Sequence, residues 1–154
     1  MKMQHRHPLL RTLALFVLCA ASLTRADAQA DAGSASRLAP VVARILSYER
    51  TLPTRAGGTV DILVIYANGR PASEAEARAY TAALSRIAGS TIQGLPLRVN
   101  AAAYSAAALQ SAIGSGVDVI VVCGGLEGQV NAIAQATRAR QVLTVGLMRE
   151  HVQQ

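Results

Sequence analysis

With 154 residues, 51% hydrophobic and 16% charged, the chain has room for one domain with a continuous core and not for two. Its formal charge of +6 comes from scattered arginines and a single lysine, and aromatic residues make up only 3% of it. That composition excludes the clustered basic and aromatic platforms of a nucleic-acid-binding surface, so no nucleic-acid partner is expected.

The first eleven residues hold Lys2, Arg6 and Arg11 and no acid. The apolar run Leu13–Leu23 follows, and small residues close on Ala28-Gln29-Ala30. This is the order of a secretory signal peptide, 1–30, with cleavage expected after Ala30 and export to the periplasm. The run falls short of the roughly 20 apolar residues that span a bilayer, so no permanent membrane insertion is expected. A lipoprotein is the rival reading because Cys19 lies inside the run, but Leu18 before it is large where such processing sites take a small residue. The processed chain keeps eleven Arg, no Lys and eight acids, a formal charge of +3. Cys123 is then its only cysteine and can form no internal disulfide, even in an oxidising compartment.

Residues 31–36 read as a small, polar tether, and 37–154 as one α/β domain. Leu38, Val41, Val42, Ile45 and Leu46 recur at helical spacing and predict an amino-terminal helix, with Arg37, Arg44 and Arg50 on other faces. Pro53 and Gly57-Gly58 stop it. The β-branched run Thr59–Tyr66 suits a strand covered on both faces. Ser73 with Glu76 predicts a capping box, and Ala77, Tyr80, Leu84 and Ile87 form the stripe of the following helix, which Gly89 or Gly94 ends. Leu95–Asn100 predicts a second strand, Ser105–Ile113 an alanine-rich helix, and Val117–Val122 a third strand. Leu126, Val130, Ile133 and Thr137 give one more helical face, and Gln141–Gly146 a fourth strand.

Strands alternating with helices imply right-handed crossovers and a parallel sheet. The expectation is a three-layer open sheet of about four strands, order 2-1-3-4, with helices on both faces, of the flavodoxin or periplasmic-binding-lobe type. Ligands of such sheets sit beyond the carboxyl ends of the strands. The segments expected there are Tyr66–Arg70, Asn100–Tyr104, Cys123–Glu127 and Gly146–Met148, and Tyr66, Asn68, Arg70, Tyr104, Gly124, Gly125 and Glu127 are the candidate ligand- or partner-binding residues.

No enzyme activity is expected. A nucleophilic Cys123 needs a base, and the only histidine after the leader is His151 in the terminal tail. Gly124 and Gly125 offer backbone N–H groups to an anion. The run Cys-Gly-Gly-Leu-Glu-Gly nevertheless matches neither the dinucleotide nor the P-loop pattern, and Glu127 adds negative charge where an anion would sit. Asn68-Gly69 is first a turn signal, and Arg70 before proline reads as a solvated guanidinium. Asp61 and Asp118 enter their strands near the amino ends. No His, Cys or Asp cluster has ligand spacing, so neither a metal nor a cofactor is expected.

Taken in order, TVDILVIY, IAGSTIQGLPLRVN, SGVDVIVVCGG and ARQVLTVG resemble the strand motifs of the YfiR/HmsC family of exported regulatory proteins over about Leu38–Gly146. The resemblance implies a non-enzymatic periplasmic regulatory domain. Such a domain acts by protein–protein docking on an inner-membrane signalling partner such as a diguanylate cyclase, lowering cyclic di-GMP output and biofilm formation. Two departures stand out: family members carry further cysteines, and they continue past the Leu-Thr-Val-Gly strand with another strand and helix. A domain truncated in this way at its carboxyl end is expected to expose a sheet edge or a helix-covered face, which favours a homodimer or instability. The alternative expectation is a small-molecule-binding lobe related to periplasmic substrate-binding proteins.

Overall fold

The computed structural model describes residues 33–87 and 91–147. The leader, its cleavage point, Gly89, Met148 and His151 lie outside the described residues. Helix α1 covers 33–48. After it come α2 (Leu52–Arg55), β1 (Val60–Tyr66), α3 (Pro71–Ile87), β2 (Leu97–Ala103), α4 (Ala106–Gly114), β3 (Val119–Val122), a 3-10 turn (Glu127–Gln129), α5 (Val130–Arg138) and β4 (Leu143–Gly146). The strands form one four-stranded sheet in the order β2-β1-β3-β4, and every neighbouring pair is parallel. The expected class, strand order and helical layers are therefore those of the molecule.

Strand periodicity sorts the core. Val60, Ile62 and Val64 of β1 join Val119, Val121 and Cys123 beneath α1 and α3. The alternating residues Ile65, Ile120 and Val122 join Leu109 and Ile113 of α4 and Ile133 of α5 on the other face. Strand β3 is buried at every position because it lies between β1 and β4 and under both helical layers. The helix starts follow from local chemistry. Pro71 opens α3, where its missing N–H has no intrahelical acceptor to lose. Ser105 caps α4, its Oγ accepting the Ala108 N–H at 3.1 Å.

Four expectations are corrected. Residues 33–36 are helical, and Ala35 is fully buried in the core, so that part of the tether belongs to α1. The buried line of α1 is Ala35, Ala39, Val42 and Leu46, whereas Leu38, Val41 and Ile45 are exposed. Alanines are too small to stand out in a hydrophobic pattern, yet they let a helix lie close against a sheet. Ser73 is not a helix cap, since α3 has already begun at Pro71, and its hydroxyl is used elsewhere. Strand β2 runs on to Ala103, so Asn100–Ala103 are strand and only Tyr104 reaches the carboxyl-end loops.

Among the described residues no helix is long and apolar enough to cross a membrane.

Candidate functional site at the carboxyl ends of the strands

Strands β1 and β3 end side by side, and the chain leaves each through a glycine turn. After β1, the Arg70 N–H closes a turn on the Ala67 carbonyl at 3.3 Å, with Gly69 at φ 70°. Asn68 and Arg70 are exposed on this turn. After β3, the Cys123 N–H bonds the Ile65 carbonyl at 3.0 Å, which brings Gly124 and Gly125 over the end of β1. Gly125 has φ 84°, and a Cβ there would lie 3.1 Å from Arg70 Cδ and 3.2 Å from Ala67 Cβ. Backbone conformation and space thus both require glycine at this position. Of the candidate residues, Arg70, Gly124, Gly125 and Glu127 gather at this corner.

The two tyrosines are joined only through backbone: the Tyr104 N–H bonds the Tyr66 carbonyl at 2.8 Å. Tyr66 packs on the α1/α3 face and Tyr104 on the α4/α5 face, so the sheet separates their rings.

The amides at the corner are already engaged. The Gly124 N–H donates to Glu76 Oε2 at 2.7 Å. The Gly125 N–H donates to Glu127 Oε1 at 2.8 Å. Both acceptors are carboxyl oxygens. Ser73 Oγ accepts the Ala67 N–H at 2.9 Å and donates to the Gly124 carbonyl at 2.7 Å, and so ties the two turns to α3. An anion arriving at Gly124 and Gly125 would have to displace two carboxylates of the protein itself.

Sequence reasoning placed Glu127 here but missed Ser73 and Glu76. The Ser-x-x-Glu signal was visible, and both residues do satisfy backbone groups, but those of the turns rather than of their own helix.

The Cys123 thiol is fully buried, and desolvation, reinforced by the Glu76 carboxylate, pushes its pKa up. Both effects hold the proton on sulfur and oppose formation of a nucleophilic thiolate.

The amino ends of the strands hold a second polar cluster. Asp118, 2% exposed, accepts the Asp61 N–H on Oδ2 at 3.0 Å and lies 3.5 Å from Arg55 Nε through Oδ1. Arg55 also donates from Nη1 to the Gln141 carbonyl at 2.7 Å. Arg98 holds Asp61 from both Nε and Nη2.

Two open grooves flank the sheet edges. One, of about 320 Å³, runs between α5 and β4 and is lined by Val122, Ile133, Thr137, Val142 and Thr144. The other, of about 470 Å³, lies between β2 and α4 beside Asp61, Arg98 and Asn100. Among the described residues no three His, Cys, Asp or Glu side chains converge as a metal site would require.

Compared with models of known protein families, with curated protein sequences and with solved structures, the chain matches none of them.

Proposed function

We propose that the chain is an exported, non-enzymatic regulatory domain resembling the YfiR/HmsC family. It docks in the periplasm on an inner-membrane signalling partner such as a diguanylate cyclase. Binding one conformation of that partner shifts its population and restrains cyclic di-GMP synthesis.

The observation that carries this reading is the closed corner at the carboxyl ends. In open parallel sheets that corner is the place where ligands are bound. Here its amides are held by Glu76 and Glu127, its hydroxyl by two backbone groups and its thiol by burial. Large apolar side chains instead face solvent on α1, which suits recognition of a protein. The order of the four family-like motifs on four parallel strands supports the same reading.

The test is deletion of the gene together with a binding measurement. Loss of the protein is expected to raise cellular cyclic di-GMP, and the purified chain to bind the periplasmic domain of a membrane cyclase from the same cell. Unchanged cyclic di-GMP with no binding to any such domain would sink the proposal.

A small-molecule-binding lobe has one observation on its side, the apolar groove between α5 and β4, whose volume reaches the lower end of ordinary ligand pockets. Stabilisation of the chain by a small molecule, lost when Ile133 or Thr137 is enlarged, would favour it.

A further inference from the structure

Helix α1 carries two apolar lines, and among the described residues only one of them is buried. Ala35, Ala39, Val42 and Leu46 are buried. Leu38, Val41, Ile45 and Tyr48 are 37, 49, 46 and 74% exposed. Their spacing of three, four and three residues is that of the a and d positions of a heptad. At about 100° per residue the exposed line lies roughly 110° round the helix from the buried one and spans roughly 80°. It therefore occupies a flank of α1 on which Leu38, Val41, Ile45 and Tyr48 all stay substantially exposed. Arg37 and Arg44, seven residues apart, border it on the solvent side. Among the described residues neither is found in an ion pair, unlike Arg55, Arg78 and Arg98.

We infer that this flank of α1 is the docking surface for an amphipathic helix of a partner protein, one with apolar heptad positions and acidic residues facing Arg37 and Arg44. The inference rests on the docking function proposed above and names its surface and the chemistry of its partner. A helix set there lies beside α1 and widens the helical layer on that face of the sheet. Leu38, Val41, Ile45 and Tyr48 form its apolar seam, and the two arginines select acidic over basic flanks.

Two other occupants fit less well. A membrane-surface helix uses a broad apolar face of about 100° or more, whereas this line is the narrower seam of helix pairing. In a second copy packed antiparallel, the two arginine borders would oppose each other. The acid on the far border, Glu49, already accepts from the Thr51 N–H at 3.1 Å and from its hydroxyl at 2.8 Å.

The experiment uses the exported chain and two labelled designed peptides of about three heptads, both with leucine at a and d, one with glutamate flanks and one with lysine flanks. Fluorescence anisotropy is expected to show the glutamate peptide binding at least tenfold more tightly. Ile45→Ser is expected to weaken it about tenfold without changing thermal unfolding, since the side chain is half exposed in the free protein. Arg37→Glu with Arg44→Glu should reverse the preference between the peptides, an effect that fades at high salt.

Equal binding of both peptides, or of neither, overturns the inference. So does a dimer of the chain that Ile45→Ser dissociates, or adsorption to phosphatidylserine vesicles that the arginine reversals abolish. Binding of a cyclase periplasmic domain unaffected by Ile45→Ser overturns this surface and leaves the docking function standing. Selective peptide binding without any cyclase partner does the opposite.

Discussion

The two ends of the sheet are closed by different chemistry. At the carboxyl ends, carboxylates accept backbone N–H groups: Glu76 from Gly124 and Glu127 from Gly125, with Ser73 bridging the turns. At the amino ends, carboxylates meet guanidinium groups: Asp118 faces Arg55 and Asp61 is held by Arg98. The first arrangement depends on where the backbone runs, because the turn at Gly124 and Gly125 points two successive amides at side chains. The second depends on charge and on how deeply that charge is buried. The comparison teaches that two polar clusters on one sheet should fail in different ways, the carboxyl end through backbone geometry and the amino end through loss of a charge.

The largest expected effect is at the amino end. Asp118→Ala removes the acceptor of the Asp61 N–H and leaves Arg55, only 23% exposed, without its counter-charge. A loss of about 3 kcal/mol in unfolding free energy is expected, as when one partner of a buried pair is removed. A loss below about 1 kcal/mol, the range of surface ion pairs, would show that this carboxylate is not closing the sheet end.

Next comes the carboxyl end. Gly125→Ala changes no charge, yet it places a Cβ 3.1 Å from Arg70 Cδ and 3.2 Å from Ala67 Cβ at φ 84°. Strain in the left-handed region alone costs about 1–2 kcal/mol, so a total of about 2 kcal/mol is expected by chemical denaturation. Gly128→Ala, where a Cβ meets nothing within 4 Å, is the matched control and should cost far less. Equal losses in the two variants would remove the claim that backbone geometry governs this corner.

Cys123 sharpens the same comparison through pH. Burial raises the thiol pKa in the folded state, while the unfolded chain titrates near the ordinary value of about 8.5. Below that value both states keep the proton and Cys123 adds no pH dependence. Above it the unfolded chain loses the proton and the native chain keeps it. Native stability then falls by about 1.4 kcal/mol per pH unit. Denaturation curves for the natural chain and Cys123→Ala should diverge in slope only on the alkaline side, and iodoacetamide should alkylate Cys123 only on unfolding. A thiol that reacts readily in the folded protein at neutral pH would contradict its placement beneath Gly124.

Much of this fold was legible because its strands are β-branched runs between turn signals. Val60–Tyr66 and Val119–Val122 could hardly be anything but buried parallel strands once helical segments were recognised between them. The corner was legible in position but not in wiring. Gly124, Gly125 and Glu127 were expected together, whereas the Glu76 bond to Gly124 joins residues 48 apart in the chain. No local pattern encodes such a bond, and the Ser73-Glu76 spacing has a commoner local meaning at helix starts. The α1 flank escaped for a different reason. Leu38, Val41 and Ile45 were read into one apolar stripe with Val42 and Leu46, because a hydrophobic pattern does not distinguish a buried side chain from an exposed one.

The smallest expected effect lies at the edge of the same amino-end cluster. Arg98 sits on the outer strand β2 with its side chain 64% exposed, and its Nη2 donates to Asp61 Oδ2 at 2.6 Å. Short, two-pronged geometry would suggest a strong contact if distance alone decided. Solvent decides instead: an exposed guanidinium freed from its partner is hydrated again at once, and dissolved ions screen the attraction. Asp61 is also less buried than Asp118 and can turn toward water when its partner is gone. Arg98→Met should therefore lower stability only slightly, and molar salt should erase the difference from the natural chain while leaving most of the Asp118→Ala deficit in place. Two ion pairs a few residues apart on one sheet would then differ chiefly because one of them is buried. Equal deficits that respond alike to salt would mean that burial is not what separates them.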